Sequence, residues 1–362
     1  MTLVVIVSAI DRVARECGVM SLLMGLPDAV LVRHELTPDE EGEGGTVRRT
    51  VSDDSGLVED DTAHLEHACL SCTAREDIVP TLRRLAEVGT WQTIVLALPL
   101  AAAPEPLVWQ ISEAVEHSFL PVRIASVLSV VDEQTVAQDA FGDDLLAERG
   151  LGLGGRDHRS VAEALMEQVD YSDLVCTLDP PRGGQIAALR HLVPEERYAE
   201  VLSAINPMRL LHMKHDMRGA KRRLDPVRTP PRHVPEIEGF WSREFVSERP
   251  FHPGRLMNDL ELLGVGPVRI RGCFHLPTRP ATVCVLTAAG SQVALGSGGQ
   301  WAQRRPSTRL VVQGHGEEAL GRVQRAFDDL LMTDFEMREL DRWRDIDDQL
   351  DDWFGPEARE VG

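Results

Sequence analysis

An apolar, β-branched run recurs along the first half of the chain, and each recurrence is followed by residues with helical spacing. Leu3 to Ser8 reads LVVIVS; Ala29–Arg33, Thr93–Leu98 and Val122–Val131 repeat the theme, and Leu174–Thr177 is a shorter copy. Runs that are apolar at every position belong to strands buried on both faces. Between them, Arg12–Leu26 carries Val13, Cys17, Met20, Leu23 and Met24 at helical intervals, Ile78–Val88 is amphipathic, and Ser160–Val169 has the same period. This alternation predicts an α/β fold: a mostly parallel sheet with helices on both faces. Thr37–Asp61 breaks the pattern. It is polar, acidic and glycine-bearing, and is expected to form mobile loop around a short strand at Val47–Val51.

Beyond Met213 the pattern changes. Residues 214–239 hold Arg218, Lys221, Arg222, Arg223 and Arg228 among Pro226, Pro230 and Pro231, and read as a linker. Residues 240–334 read as a small α+β domain, with strands near 244–248, 268–276, 282–286 and 309–313 and helices over 253–263 and 317–331. Residues 335–362 are an acidic tail, expected to dock through Trp343, Trp353 and Phe354. The expected organisation is therefore 1–213, linker 214–239, 240–334 and tail 335–362.

With 58 acidic and 38 basic residues the net charge is −20. Such a chain repels a phosphate backbone, so no nucleic-acid partner is expected. The basic stretch Arg218–Arg232 reads first as solvated linker and second as a docking site for an acidic partner. No run reaches the ~18 apolar residues of a membrane span. Leu3–Ile10 lacks a preceding basic region and a following cleavage site, which is not the pattern of a signal peptide. Six cysteines among 362 residues do not make a disulfide framework. Reduced thiols and a cytoplasmic location are the expectation.

The strongest chemical signal is His64-Leu65-Glu66-His67-Ala68-Cys69-Leu70-Ser71-Cys72. Thiolate and imidazole are the ligands zinc prefers, usually four in a tetrahedron, and His64, His67, Cys69 and Cys72 fall within nine residues. In an extended segment His64 and His67 point to opposite faces, so Glu66 or water is a candidate for the remaining position. Two other readings stand beside the metal site: structural thiols packed on the following helix, and a redox pair. Glu76 and Asp77 beside the helix start oppose a strongly depressed thiol pKa.

The segment Cys69-Leu-Ser-Cys72-Thr-Ala-Arg75-Glu76-Asp77-Ile-Val-Pro resembles the CxCC-T-x-R-E-D-L stretch of CobW-like GTPases, a group of P-loop metallochaperones. Asp157-His-Arg-Ser-Val-Ala…Gln168-Val-Asp-Tyr-Ser-Asp173 is similar to that family's D-R-S…Q-I-E-x-A-D, Ser129–Asp132 to its V-V-D strand end, and Ile205-Asn206-Pro207 to its L-N-P. In the second half Arg249-Pro-Phe251-His252-Pro253-x-Arg255-Leu256, Thr278-Arg279-Pro280 and Gly298-Gly299-x-Trp301 follow its C-terminal domain. The resemblance implies a P-loop-NTPase-like first domain, zinc as the metal and a client protein as partner.

The departures fall where that family binds nucleotide. A phosphate loop needs glycines so that backbone N–H groups can wrap phosphates, a lysine on the phosphates and a hydroxyl on magnesium. Placed on the family's S-G-F-L-G-A-G-K-T-T without a gap, Ala9, Arg12 and Ala14 stand at the glycines, Arg15 at the lysine and Glu16 at the hydroxyl. The family's E-x-S-G is Ala97-Leu98-Pro99-Leu100, and of its N-K-x-D only Asp179 survives. The middle cysteine of its metal motif is Ser71. The sequence thus predicts a CobW-like protein of metal homeostasis, with zinc held by Cys69 and Cys72 plus His67, Glu66 or His64, and without ordinary magnesium–GTP hydrolysis. The alternatives are a weak or unusual GTP-binding protein that uses Arg15, and a partner-binding scaffold with inert thiols. Three minor features are given no chemistry: Gly150–Gly155 reads as a flexible loop, the His212/His215 pair as solvated, and Cys273 and Cys284 as core thiols.

Overall fold

The LVVIVS run forms β1 (Thr2–Ser8), and its place mid-sheet explains its composition. In the computed structural model β1 pairs in parallel with β5 (Thr93–Ala97) on one side and β6 (Val122–Val131) on the other. Val4–Val7 are fully buried. The sheet continues through β2 (Ala29–Pro38), β3 (Gly45–Asp53), β4 (Gly56–Leu65), β7 (Leu174–Thr177) and β8 (Tyr198–Val201), in the order β4-β3-β2-β5-β1-β6-β7-β8. Only the β2–β3 and β3–β4 pairings are antiparallel. The structure describes all residues except 40–43, 67–69, 153–156, 195, 344–345 and 356–362.

Helices cover both faces. Val4, Ile6, Val30 and Val32 pack with Ala74, Ile78, Leu82 and Leu107 on one side, while helix Arg12–Gly25 lies on the other, against Val7 and Val130. That helix uses a face its periodicity did not indicate. Val13, Met20 and Met24 are exposed, and Ala14, Arg15, Gly18, Val19 and Leu22 are buried. The reason is closeness: a Cβ on Gly18 would meet Val130 Cγ2 at 2.7 Å. The small residues therefore set the contact, and the larger apolar ones are left outside.

The stretch 37–61, expected to be mostly loop, is largely a hairpin of β3 and β4 closed at Asp53–Gly56. Asp53 Oδ1 accepts from Ser55 N at 2.9 Å, and Gly56 has φ +122°. Its strand character was hidden by the charges of an exposed edge: Glu59, Asp60 and Asp61 pair with Arg84, Arg48 and Arg49.

The chain divides into two units, Met1–Asp139 with Asp144–Leu224, and Ala140–Asp143 with Asp225–Gly362. Part of the stretch expected to be linker, Met217–Leu224, is a helix of the first unit. There Arg223 donates to the carbonyls of Asp170, Tyr171 and Ser172, at the end of helix Val161–Tyr171.

The second unit is a five-stranded antiparallel sheet of β9 (Phe240–Ser247), β10 (Val268–Phe274), β11 (Thr282–Ala289), β12 (Gln292–Gln300) and β13 (Thr308–His315), ordered β12-β11-β10-β13-β9. Helix Glu317–Leu330 packs Ala319, Val323 and Phe327 against Ile270, Leu286 and Val312. The glycine-rich β12 escaped sequence reading because its pairing with β11 overrides its poor intrinsic preference. The acidic tail is anchored: Leu350 is fully buried, Phe354 meets Phe274 edge-on, and Arg279 donates to both oxygens of Asp348. Trp343 lies edge-on against His252. Among the described residues no helix is long and apolar enough to cross a membrane.

Candidate metal and nucleotide site

Only Ala9, Ile10 and Asp11 separate β1 from the helix that begins at Arg12. The gapless placement puts phosphate-loop residues as far as position 14, yet 12–14 are already helical. No residue from Ala9 to Glu16 has positive φ. Asp11 caps the helix, its Oδ1 accepting from Ala14 N at 2.8 Å. A helix start is an anion site because its first N–H groups are unpaired; here a carboxylate of the chain itself takes that place.

Arg15, at the lysine position, is 1% exposed. Its Nη1 donates to the Leu98 carbonyl at 3.2 Å, its Nε and Nη2 to Glu16 Oε1 at 3.0 and 2.8 Å, and Nη2 also to Glu35 Oε1 at 3.2 Å. Arg33 holds the other Glu16 oxygen at 2.5 Å, and Arg12 reaches Glu35 at 3.1 Å. Burial works against the Glu35 carboxylate, but the bond and charge of Arg15, with Arg12 and Arg33, hold it below the usual range. The residues at the lysine and magnesium positions are thus bonded to each other.

A cavity of about 400 Å³ opens beside this turn, lined among others by Asp11, Arg12, Thr135, Asp139 and Arg149. Arg149 is already engaged by Asp139 and Asp144, both at 2.5 Å. Nearby Asp132 titrates above the ordinary range, chiefly through burial and then through repulsion from Glu133, Asp11 and Asp139. Leu98, in the E-x-S-G position, is buried, and Asp179 is held through its backbone N–H by Glu133 Oε2 at 3.0 Å.

β4 ends at Leu65, and Cys72 lies in a short helix, Leu70–Thr73, continued by a wide turn over Ala74–Ile78. Cys72 is half-buried, with the Arg75 guanidinium 3.9 Å from its sulfur. His64 lies on the exposed edge strand opposite Thr46, and Glu66 just beyond it is also exposed. His67 and Cys69 lie outside the described residues. Among the described residues, three metal-ligating atoms come within 4.8 Å of one another only at Glu113, Glu116 and His117 on the surface of helix Pro104–Ser118.

The wide turn is tied down from beneath. Asp77 accepts from His34 Nε2 at 2.7 Å and from Arg49 Nη1 at 2.5 Å, and His34 is fully buried on β2. Sequence inspection passed over His34 and Arg49; the one available signal was a histidine and an arginine inside apolar or alternating strands. Of the minor features, the His215 side chain is not solvated as expected but buried, 2.8 Å from Asp173; Cys273 and Cys284 are buried, and residues 153–155 of the glycine loop fall outside the described part.

Both units match known families. Residues 45–177 match the CobW/HypB/UreG nucleotide-binding domain, and residues 240–331 match the C-terminal domain of the cobalamin synthesis protein cobW. The first match begins downstream of β1 and the helix that follows it. A Mycobacterium tuberculosis protein named zinc chaperone Rv0106 is 28% identical over 407 aligned positions, covering 99% of this chain and 95% of that protein. Zinc-regulated GTPase metalloprotein activator 1 of Dictyostelium discoideum is 24% identical over 66% of this chain and 54% of its own length. Among solved structures, the Zn(II)-bound YjiA GTPase of E. coli aligns with 91% of this chain and 99% of its own, at 11% identity and a TM-score of 0.37.

Proposed function

Because the chain belongs to the CobW family, we propose that it handles zinc, taking the ion through Cys69 and Cys72 and passing it to, or sensing it for, a client protein in the cytoplasm. His64, Glu66 or His67 completes the ligand set. The similarity to a zinc chaperone along nearly the whole chain supports the metal, and the donor chemistry fits it: thiolates with imidazole or carboxylate suit a borderline-soft cation. With Ser71 in place of a third cysteine, the thiol pair alone supplies sulfur, which favours faster exchange.

We further propose that this happens without ordinary magnesium–GTP hydrolysis. The observation that carries this is Arg15, sealed between Glu16, Glu35 and the Leu98 carbonyl behind a helix that Asp11 caps. A phosphate there would have to displace a carboxylate cap and approach Asp11 and Glu16 while Arg15 stays engaged. Metal release then depends on the client or on metal concentration, not on a nucleotide cycle. The cavity beside this turn, whose lining includes Arg12 and Arg149 as well as Asp11 and Asp139, favours one second reading, a weak and unusual nucleotide site.

Zinc competition titration under reducing conditions, on the wild type and on Cys69→Ala/Cys72→Ala, tests the first proposal. One tight site lost in the double variant supports it; no tight site, or one indifferent to both cysteines, leaves a scaffold with inert thiols. GTP turnover that disappears in Arg15→Ala would overturn the second proposal and establish the nucleotide reading.

A further inference from the structure

We propose that His34 is a protein ligand of the metal carried by the thiol segment, binding through Nδ1, with Asp77 as the group that positions it. This rests on the zinc-handling reading and names a residue far from the thiol motif in sequence. Side chains alternate along β2: Val30 and Val32 enter the core shared with Ala74 and Ile78, and His34 follows on the same face. It therefore faces Asp77, in the turn that follows Cys72.

The hydrogen bonds fix which nitrogen is available. Asp77 accepts from Arg49 at Oδ2 and from His34 at Oδ1. A carboxylate can only accept, so His34 Nε2 carries the hydrogen. With Nε2 held by Asp77, the lone pair on Nδ1 is the one left over. That lone pair is buried and has no hydrogen-bond partner. An unpaired buried acceptor costs about 1–3 kcal/mol, a cost that a bound metal ion would remove. A neutral imidazole with one nitrogen held by a carboxylate and the other bare is the arrangement found on protein-bound zinc.

The anchor and the thiol share one element. Asp77 lies five residues after Cys72, and the intervening turn is wide, with Val79 N–H reaching back to Ala74 O. Wide turns of this kind recur at functional sites. Asp77 thus couples the imidazole on β2 to the segment that carries Cys72. The surface trio Glu113, Glu116 and His117 offers no comparable buried, unpaired donor.

The test is metal binding by the full chain under reducing conditions, with Zn2+ affinity from competition and Co2+ spectra as a readout of the ligand set. We expect His34→Gln to weaken zinc 10- to 100-fold and to shift the Co2+ ligand-field bands while the thiolate charge-transfer band persists. Asp77→Asn weakens binding about tenfold, and Cys72→Ser lowers the thiolate band to the share of Cys69. A folded His34→Gln chain with wild-type affinity and spectrum overturns the His34 assignment. In that case, loss of binding in Cys72→Ser leaves the zinc-handling reading standing, whereas no binding by the wild type removes both. If His34→Gln does not fold, X-ray absorption on zinc-loaded His64→Ala/His67→Ala decides: an imidazole in the first shell supports the assignment, and none refutes it.

Discussion

Replacing Arg15 with methionine separates a vestigial phosphate lysine from a structural clamp. Methionine keeps an apolar stem of similar reach, so little cavity forms, and what disappears is the guanidinium. Its bond to the buried Leu98 carbonyl is worth about 1 kcal/mol net. Its bonds to Glu16 and Glu35 count for less than fully buried ion pairs, because both carboxylates are 34% exposed and keep Arg33 and Arg12 as partners; screened pairs contribute up to about 1 kcal/mol each. The sum is a loss of about 2–3 kcal/mol, or a fall in Tm of roughly 5–10 °C for a unit of this size. Urea and thermal unfolding followed by far-UV circular dichroism measure it, alongside GTP binding. Arg15→Lys keeps the charge but cannot fork across two carboxylates and a carbonyl, so it should recover only part of the loss. A change below about 0.5 kcal/mol, or GTP binding by the wild type that Arg15→Met abolishes, would refute the clamp.

Gly18→Val drives a branched side chain into Val130, where even a Cβ would approach to 2.7 Å; a loss of about 1–3 kcal/mol in urea unfolding is expected. Because the His34 pKa is lowered in the fold, the unfolded chain binds more protons than the folded one below pH ~6.5, so stability falls with pH from there downwards. His34→Gln should flatten that slope in melts between pH 7 and 5, and an unchanged slope would assign it to other groups. Arg279→Ala leaves Asp348 buried without its partner in the second unit, costing about 3–5 kcal/mol and raising hydrogen exchange across 346–355; unchanged exchange would show the tail held by its aromatics alone.

How much was legible follows from how local each signal is. The unbroken apolar runs announced parallel strands because a strand buried on two faces has no polar position, and β1, β5 and β6 obey that. β4 and β12 were illegible for the complementary reason: their positions are set by pairing with a neighbour, so acidic residues in one and glycines in the other were free to mask them. Likewise the periodicity of 12–25 announced a helix but not its buried face, which close approach to Val130 decided.

By itself the sequence determined the α/β order of elements, the family's motif order and the substitutions at the phosphate-loop positions, since each is a statement about neighbouring residues. Tertiary structure alone decided what those substitutions do. Arg15 and Glu16 are adjacent in the chain, but Glu35, Arg33 and the Leu98 carbonyl that lock them arrive from β2 and the end of β5. His34 and Asp77 are 43 residues apart and meet at 2.7 Å. A contact across that separation depends on where the sheet places β2 beneath the thiol segment, and no local spacing encodes it.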